Sequence, residues 1–196
     1  MTQLRHPNCC AVYDYGLSNE GEPYFTMEVV PGQGLDESLP VAVDVFKSQF
    51  SQLLLALAYV HRQGFVHLDI KSANVRVRPD GLVKLMDYGL MEHAGQASSG
   101  IRGTLPYMSP EMIRRGPLDQ RADLYSAGVL AYEMLTGRLP FERPRPLDLI
   151  RAHLGEQPVP PSRLATGIPA EIEKTVMRLL AKEPVERFQS ADEALE

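Results

Sequence analysis

Along residues 41–63 apolar side chains recur at Phe46, Phe50, Leu53, Leu54, Leu57 and Val60. Steps of three and four residues put them on one face of a long helix. Gly64 follows, a natural stop because glycine takes the left-handed conformation that closes helices. A second apolar helix is predicted over 122–135, stopped by Gly137, and shorter helical patterns follow at 147–154, 170–181 and 191–196. Residues 138–146 read as a proline-punctuated loop. The chain before the long helix alternates instead. Strand-like stretches at 9–15 and 23–30 flank Ser18-Asn19-Glu20-Gly21-Glu22, a hairpin loop by composition. Pro31-Gly32-Gln33-Gly34 breaks the pattern, and a short helix is expected over 35–39. Residues 1–5 look like the last turn of a helix ended by His6-Pro7-Asn8. A second hairpin is predicted between the long helices: 75–78 alternates, Pro79-Asp80-Gly81 turns, and 82–86 is apolar around Lys84. Residues 92–102 are polar and carry no period.

Composition narrows the class. The 196 residues carry a net charge of −5, with 44% hydrophobic residues and no Trp, as suits one globular domain with a sizeable core. Mild acidity argues against nucleic acid as the main partner. No apolar run approaches the ~20 residues of a membrane span. No signal peptide pattern is present, which makes the cytoplasm the expected address. The two cysteines, Cys9 and Cys10, are adjacent, so buried thiols are expected rather than a disulfide framework or zinc site.

The candidate chemistry lies in His67-Leu68-Asp69-Ile70-Lys71-Ser72-Ala73-Asn74. A carboxylate, an ammonium and an amide stand at fixed offsets. Phosphoryl transfer needs these groups in one place: Asp69 to orient a hydroxyl and take its proton, Lys71 to neutralise phosphoryl charge, and Asn74 to hold Mg²⁺. The plainer reading is a polar loop after a helix. The predicted hairpin favours the chemical one, because it returns the chain so that Asp87, in Asp87-Tyr88-Gly89, comes back beside Asn74 as a second oxygen ligand. Gly103-Thr104-Leu105-Pro106-Tyr107-Met108-Ser109-Pro110-Glu111 follows.

These segments, H-L-D-I-K-S-A-N, D-Y-G and S-P-E in that order, resemble the signature of a bacterial eukaryotic-like Ser/Thr protein kinase. The resemblance implies an α+β, protein-kinase-like fold. Residues 1–30 would be a remnant of the N-lobe with the hinge, and 31–196 the helical C-lobe. It implies ATP and Mg²⁺ as cosubstrate and metal, and a protein with a Ser/Thr acceptor as partner. Asp69 would be the catalytic base, Lys71 would steady the γ-phosphate, and Thr104 would bridge the two. Asn74 and Asp87 would hold the metal. In the hinge, the Glu28 carbonyl and Val30 amide would meet the adenine edge, with Met27 at the back of the pocket and Arg76 at its floor. Asp123 would accept bonds from the catalytic-loop backbone, and Arg187 would pair with Glu111. A small-molecule phosphotransferase shares the acid-to-Asn spacing, but Gly103 to Glu111 has the character of a peptide-positioning segment.

The sequence departs from the family in three ways. No G-x-G-x-x-G occurs, and the first lysine is Lys47, inside the long helix. The Gly-rich loop and strand lysine are therefore expected upstream, with Met1 an internal methionine or the chain a fragment. A catalytically inactive pseudokinase or docking fragment is the alternative. Leu68 replaces the Arg that grips an activating phosphate, so phosphorylation of Ser98, Ser99 or Thr104 is not expected to be required. Arg76 replaces an apolar floor residue; its stem can form that floor and its guanidinium can stack on the base, or it can spoil the site. Tyr88 for Phe is the milder change.

Overall fold

A computed structural model describes residues 5–95 and 103–196. The helical turn expected over 1–5 lies almost wholly outside the described residues, as do Ser98 and Ser99. The first two strands, β1 (Val12–Leu17) and β2 (Pro23–Met27), form an antiparallel hairpin. The expected strand over 9–15 starts late because Cys9 and Cys10 run beside another strand: the Cys10 amide donates to the Leu85 carbonyl at 2.9 Å. The strand expected over 23–30 ends at Met27, before Pro31, which lacks an N–H to continue a ladder. Every residue of β2 is exposed, and Tyr13, Tyr15, Leu17 and Phe25 present large apolar surfaces to solvent.

The segment read as a break forms β3 (Gln33–Gly34), which pairs with a later strand. Gly32 makes this possible: with φ +112, a Cβ there would sit 2.1 Å from the Val77 carbonyl oxygen. Only a 3-10 turn, Leu35–Glu37, fills the helix expected over 35–39. Then comes α1 (Val43–Arg62), burying Phe46, Phe50, Leu53, Leu54, Leu57 and Val60 on one face. Each such side chain gains about 1.5–3 kcal/mol by leaving water. Gly64 follows with φ +80 and the chain enters β4 (Phe65–Val66).

The second hairpin is β5 (Val75–Val77) and β6 (Val83–Leu85), giving the sheet order β3-β5-β6. Next, β7 (Glu92–His93) pairs antiparallel with β4. The helix α2 (Pro110–Arg114) was not evident in the sequence, being a single turn capped by Ser109, whose hydroxyl accepts from Met112 N. Then α3 (Gln120–Thr136) runs through the centre, buried from Ala122 to Tyr132. Asp119 caps its start and Gly137, at φ 69, closes its end. The remaining helices are α4 (Pro146–Gly155), α5 (Ala170–Leu179) and α6 (Ala191–Leu195).

The main core joins α1, α3, α5 and the β5–β6 hairpin. A smaller cluster of Val66, Leu68, Met108, Met112, Leu118 and Ala122 lies beside the candidate loop. The loop thus sits between a rigid helical body and its own hydrophobic anchor.

Candidate active site

The candidate loop begins where β4 leaves α1, and Asp123 on α3 fixes its entry. The Asp123 carboxylate accepts from the His67 amide at 2.7 Å and the Leu68 amide at 2.8 Å, and its Oδ2 lies 2.8 Å from His61 Nε2. Burial alone would raise the Asp123 pKa, but the bond from His61 and the loop amide outweigh it, and the group stays below the usual carboxylate range. These bonds hold Leu68 at φ 67, a left-handed conformation that costs a leucine about 1–2 kcal/mol. The Leu68 side chain offsets that cost by filling the smaller apolar cluster.

His67 is fully buried. Its Nδ1 accepts from the Asp69 amide at 3.3 Å, so Nε2 carries the proton and donates to the Met86 carbonyl at 3.1 Å. Burial lowers its pKa and keeps the ring neutral, in the form that makes both bonds. The Met86 amide donates to the Asn74 carbonyl at 2.8 Å. Both bonds tie the end of β6 to the loop and bring the Asp87 backbone back beside Asn74.

Asp69, Lys71, Asn74 and Thr104 converge. Asp69 Oδ2 accepts from Lys71 Nζ at 2.7 Å and from Asn74 Nδ2 at 2.8 Å, while Oδ1 accepts from Thr104 Oγ1 at 2.8 Å. Lys71 Nζ also donates to Thr104 Oγ1 at 2.9 Å. Gly103 permits the approach: at φ +106, a Cβ there would lie 2.8 Å from the Leu68 carbonyl oxygen. Burial pushes the Asp69 pKa up, but Lys71, Thr104 and Asn74 prevail and leave it lowered. The carboxylate is therefore ionised at neutral pH and fixed in direction.

A metal is tested by the oxygens left over. The Asn74 amide donates twice to Asp69, and its Oδ1 accepts no hydrogen bond among the described residues. Asp87, at φ 56, accepts from the Gly89 amide at 3.1 Å through Oδ1 and has Oδ2 to spare. Two protein oxygens fit Mg²⁺, which usually binds one or two carboxylates and completes its shell with phosphate and water. Among the described residues no group of three His, Cys, Asp or Glu could cage a metal by itself.

The other candidates lie at the end of β2, on the linker after it and on β5. Met27 is exposed, with Sδ 3.8 Å from Cys10 Sγ. The Glu28 amide donates to the Ala11 carbonyl, and its carboxylate pairs with Lys84 Nζ at 2.8 Å. Val30 is buried, and its amide donates to no described residue. Arg76, on β5, donates through Nη2 to the Gly32 carbonyl, and its Nε is buried without a partner. Its guanidinium thus binds the linker between β2 and β3.

Lys84 was missed as a site residue, although a lone lysine in an apolar strand signals a buried partner. It donates to Glu28 and to the Cys9 carbonyl at 3.3 Å, linking the linker side to the strand that leads to Asp87. Tyr107 was also missed: its hydroxyl donates to Glu133 at 2.6 Å and lies 3.0 Å from Ser72 Oγ. Arg187, fully buried, pairs with Glu111 through both terminal nitrogens, at 2.6 and 2.9 Å.

Residues 1–196 match the family model described as protein kinase domain. A probable serine/threonine-protein kinase of Streptomyces coelicolor is 39% identical over 203 residues, covering 97% of this chain and 30% of that protein. The serine/threonine-protein kinase pkn3 of Myxococcus xanthus is 35% identical, covering 97% of this chain and 38% of its own length. PknB of Mycobacterium leprae, also a serine/threonine-protein kinase, is 34% identical over 97% of this chain and 32% of its own. The chain spans about a third of the length of these relatives.

Proposed function

The chain belongs to the protein kinase family, and on that premise we propose that it carries the C-lobe and hinge of a Ser/Thr protein kinase, which transfers the γ-phosphate of ATP to a protein hydroxyl. The observation that carries this reading is the Asp69 carboxylate, held on both oxygens by Lys71, Asn74 and Thr104. In the proposal Asp69 aligns the acceptor hydroxyl and takes its proton. Lys71 would neutralise phosphoryl charge while still bonded to Asp69, and Thr104 would keep the two in register with the acceptor-positioning segment. Asn74 and Asp87 would hold Mg²⁺, which when bound draws charge from the phosphate oxygens. The Glu28 carbonyl and the Val30 amide would read the adenine edge, against Met27 and over the Arg76 stem.

The named activities of the relatives support an enzyme rather than a binding module. Among the described residues no helix is long and apolar enough to cross a membrane. We place the protein in the cytoplasm, where ATP is present and the free thiols of Cys9 and Cys10 stay reduced.

The test is Asp69→Asn in the full-length protein, followed by radiolabel transfer from ATP to a protein acceptor. The side chain keeps its size and loses its basicity, so transfer is expected to fall by about 10²–10⁴ with the unfolding midpoint little changed. Wild-type transfer by that variant would remove Asp69 from its role. Asp87→Ala is expected to weaken nucleotide binding and Mg²⁺ dependence together.

A further inference from the structure

Beneath the segment that follows Thr104, the helical body encloses a polar relay far from solvent. Lys182 Nζ donates to the Tyr125 hydroxyl at 3.4 Å and to the Ala152 carbonyl at 3.3 Å. It lies 4.4 Å from the centroid of the Phe141 ring. The Tyr125 hydroxyl is 2.9 Å from His153 Nδ1. A tyrosine hydroxyl has one proton and two lone pairs; Lys182 can only donate to it, and Nδ1 is the acceptor within reach of that proton among the described residues, so the hydroxyl donates to Nδ1. The imidazole proton must then reside on Nε2.

His153 is fully buried, and its Nε2 has no hydrogen-bond partner among the described residues. An orphaned buried donor is costly, about 1–3 kcal/mol, and asks for an explanation. Two facts point the same way. The Pro106 backbone acts on the ring, raising its basicity against the larger opposing effects of burial and Lys182. The Pro106 carbonyl itself accepts no backbone hydrogen bond among the described residues. The 105–107 turn packs against α4, and Leu105 rests on Phe141, Leu149 and Ala152. Thr104, one residue before this turn, holds Asp69.

We propose that His153 is a positioning residue for the acceptor-binding segment: its Nε2–H, oriented by Tyr125 and Lys182, faces the Pro106 carbonyl and closes on it when an acceptor peptide settles over residues 104–107. The inference rests on the kinase reading of Asp69 and Thr104, and adds a residue from the far side of the segment. No atom of His153 touches the reacting groups; it acts through Pro106 on Thr104.

The test compares wild type with His153→Asn, His153→Gln and Tyr125→Phe in the full-length protein. Asn keeps an acceptor near the Nδ1 position and loses Nε2. Gln places a donor near Nε2. The Tyr125→Phe change keeps the ring and removes the orienting proton, and serves if the histidine variants do not fold. Two signals are read: amide exchange, with saturating acceptor peptide present, at Tyr107 and Met108, whose N–H groups bond Thr104 and Leu105 carbonyls at 2.8 and 3.2 Å, and the KM values for acceptor peptide and for MgATP. His153→Asn is expected to speed that exchange about tenfold and raise the peptide KM about tenfold, with the MgATP KM and exchange in α1 unchanged. Gln is expected to restore most of both, and Tyr125→Phe to show the same local loosening. Wild-type exchange at Tyr107 and Met108 in the variants, or equal rises in both KM values, would overturn the proposal. Complete absence of transfer in wild type would overturn the kinase reading, and the exchange signal would still decide the role of His153.

Discussion

At Leu68 the backbone and side chain are asked for opposite things. The backbone takes a conformation leucine avoids, while the side chain, 3% exposed, fills a cluster with Met108 and Met112. Residues 108–112 are thereby fastened to the candidate loop by apolar contact, at the position where the resemblance implies an arginine and a phosphate. Leu68→Arg would bury a cation among methionines and aliphatic carbons. It is expected to cost at least about 3 kcal/mol in urea unfolding, since an unpaired buried charge has no compensating partner. A cost under about 1 kcal/mol would show that the side chain escapes to solvent. By the same logic, phosphatase treatment of the full-length enzyme should leave its rate nearly unchanged; a large loss would mean that another basic group grips a phosphate. Nothing in the sequence foretold the left-handed turn, because no local pattern marks a leucine for it. Asp123, hydrogen-bonded directly to that turn, is likewise an ordinary helix-start carboxylate when read by itself.

Elements long enough to repeat their pattern could be read directly. Phe46 to Val60 shows over four turns which face is buried, and α1 was expected within two residues at its start and one at its end. The β5–β6 hairpin was legible from its Pro79-Asp80-Gly81 turn. By contrast β3 spans two residues and α2 five, too few to display any period. A distant partner, Val77, decides the formation of β3, and a single local cap, Ser109, that of α2. Of the candidate site, Asp69, Lys71, Thr104, Asn74 and Asp87 were named from local spacing and resemblance, whereas Lys84 and His153 act through contacts across the fold. Helix spacing gives a further test. Gly128 on α3 lets α5 approach so closely that a Cβ there would meet Leu179 Cβ at 2.7 Å. Gly128→Ala is expected to push α5 outward and destabilise by about 1–3 kcal/mol, despite alanine's better helix propensity. A stabilised variant in thermal or urea melts would show that the helices slide apart freely.

For the whole molecule, acid acts through buried imidazoles. Burial, helped by Lys182, pushes His153 from 6.5 down to about 4, and burial lowers His67 as well. Between those values for His153 the unfolded chain binds a proton that the folded chain refuses. Stability is therefore full above about pH 6.5 and declines as pH falls toward 4, by on the order of 3 kcal/mol from His153. His153→Phe should flatten part of that decline; an unaltered pH profile of urea stability would contradict the assignment. Nucleotide binding is also a property of the whole. Residues 1–196 contain no G-x-G-x-x-G and no lysine before Lys47, so a triphosphate bound to these residues alone would be screened by water on one side. These residues alone are expected to bind MgATP weakly or not at all and to show no measurable autophosphorylation. Tight calorimetric binding, abolished by Asp87→Ala, would refute this.

The bare face of the β1–β2 hairpin gives the protein a distinctive optical behaviour. With no Trp among its residues, its ultraviolet emission comes from eight tyrosines. Tyr13, Tyr15 and Tyr24 stand exposed on the hairpin, while Tyr125 and Tyr132 are sealed in the helical body. Iodide, which collides only with accessible rings, is expected to quench the first group and spare the second, giving a Stern–Volmer plot that curves downward. Whatever covers the hairpin would remove the steep component alone, so an unlabelled sample reports its own occupancy by how far iodide dims the light it already emits.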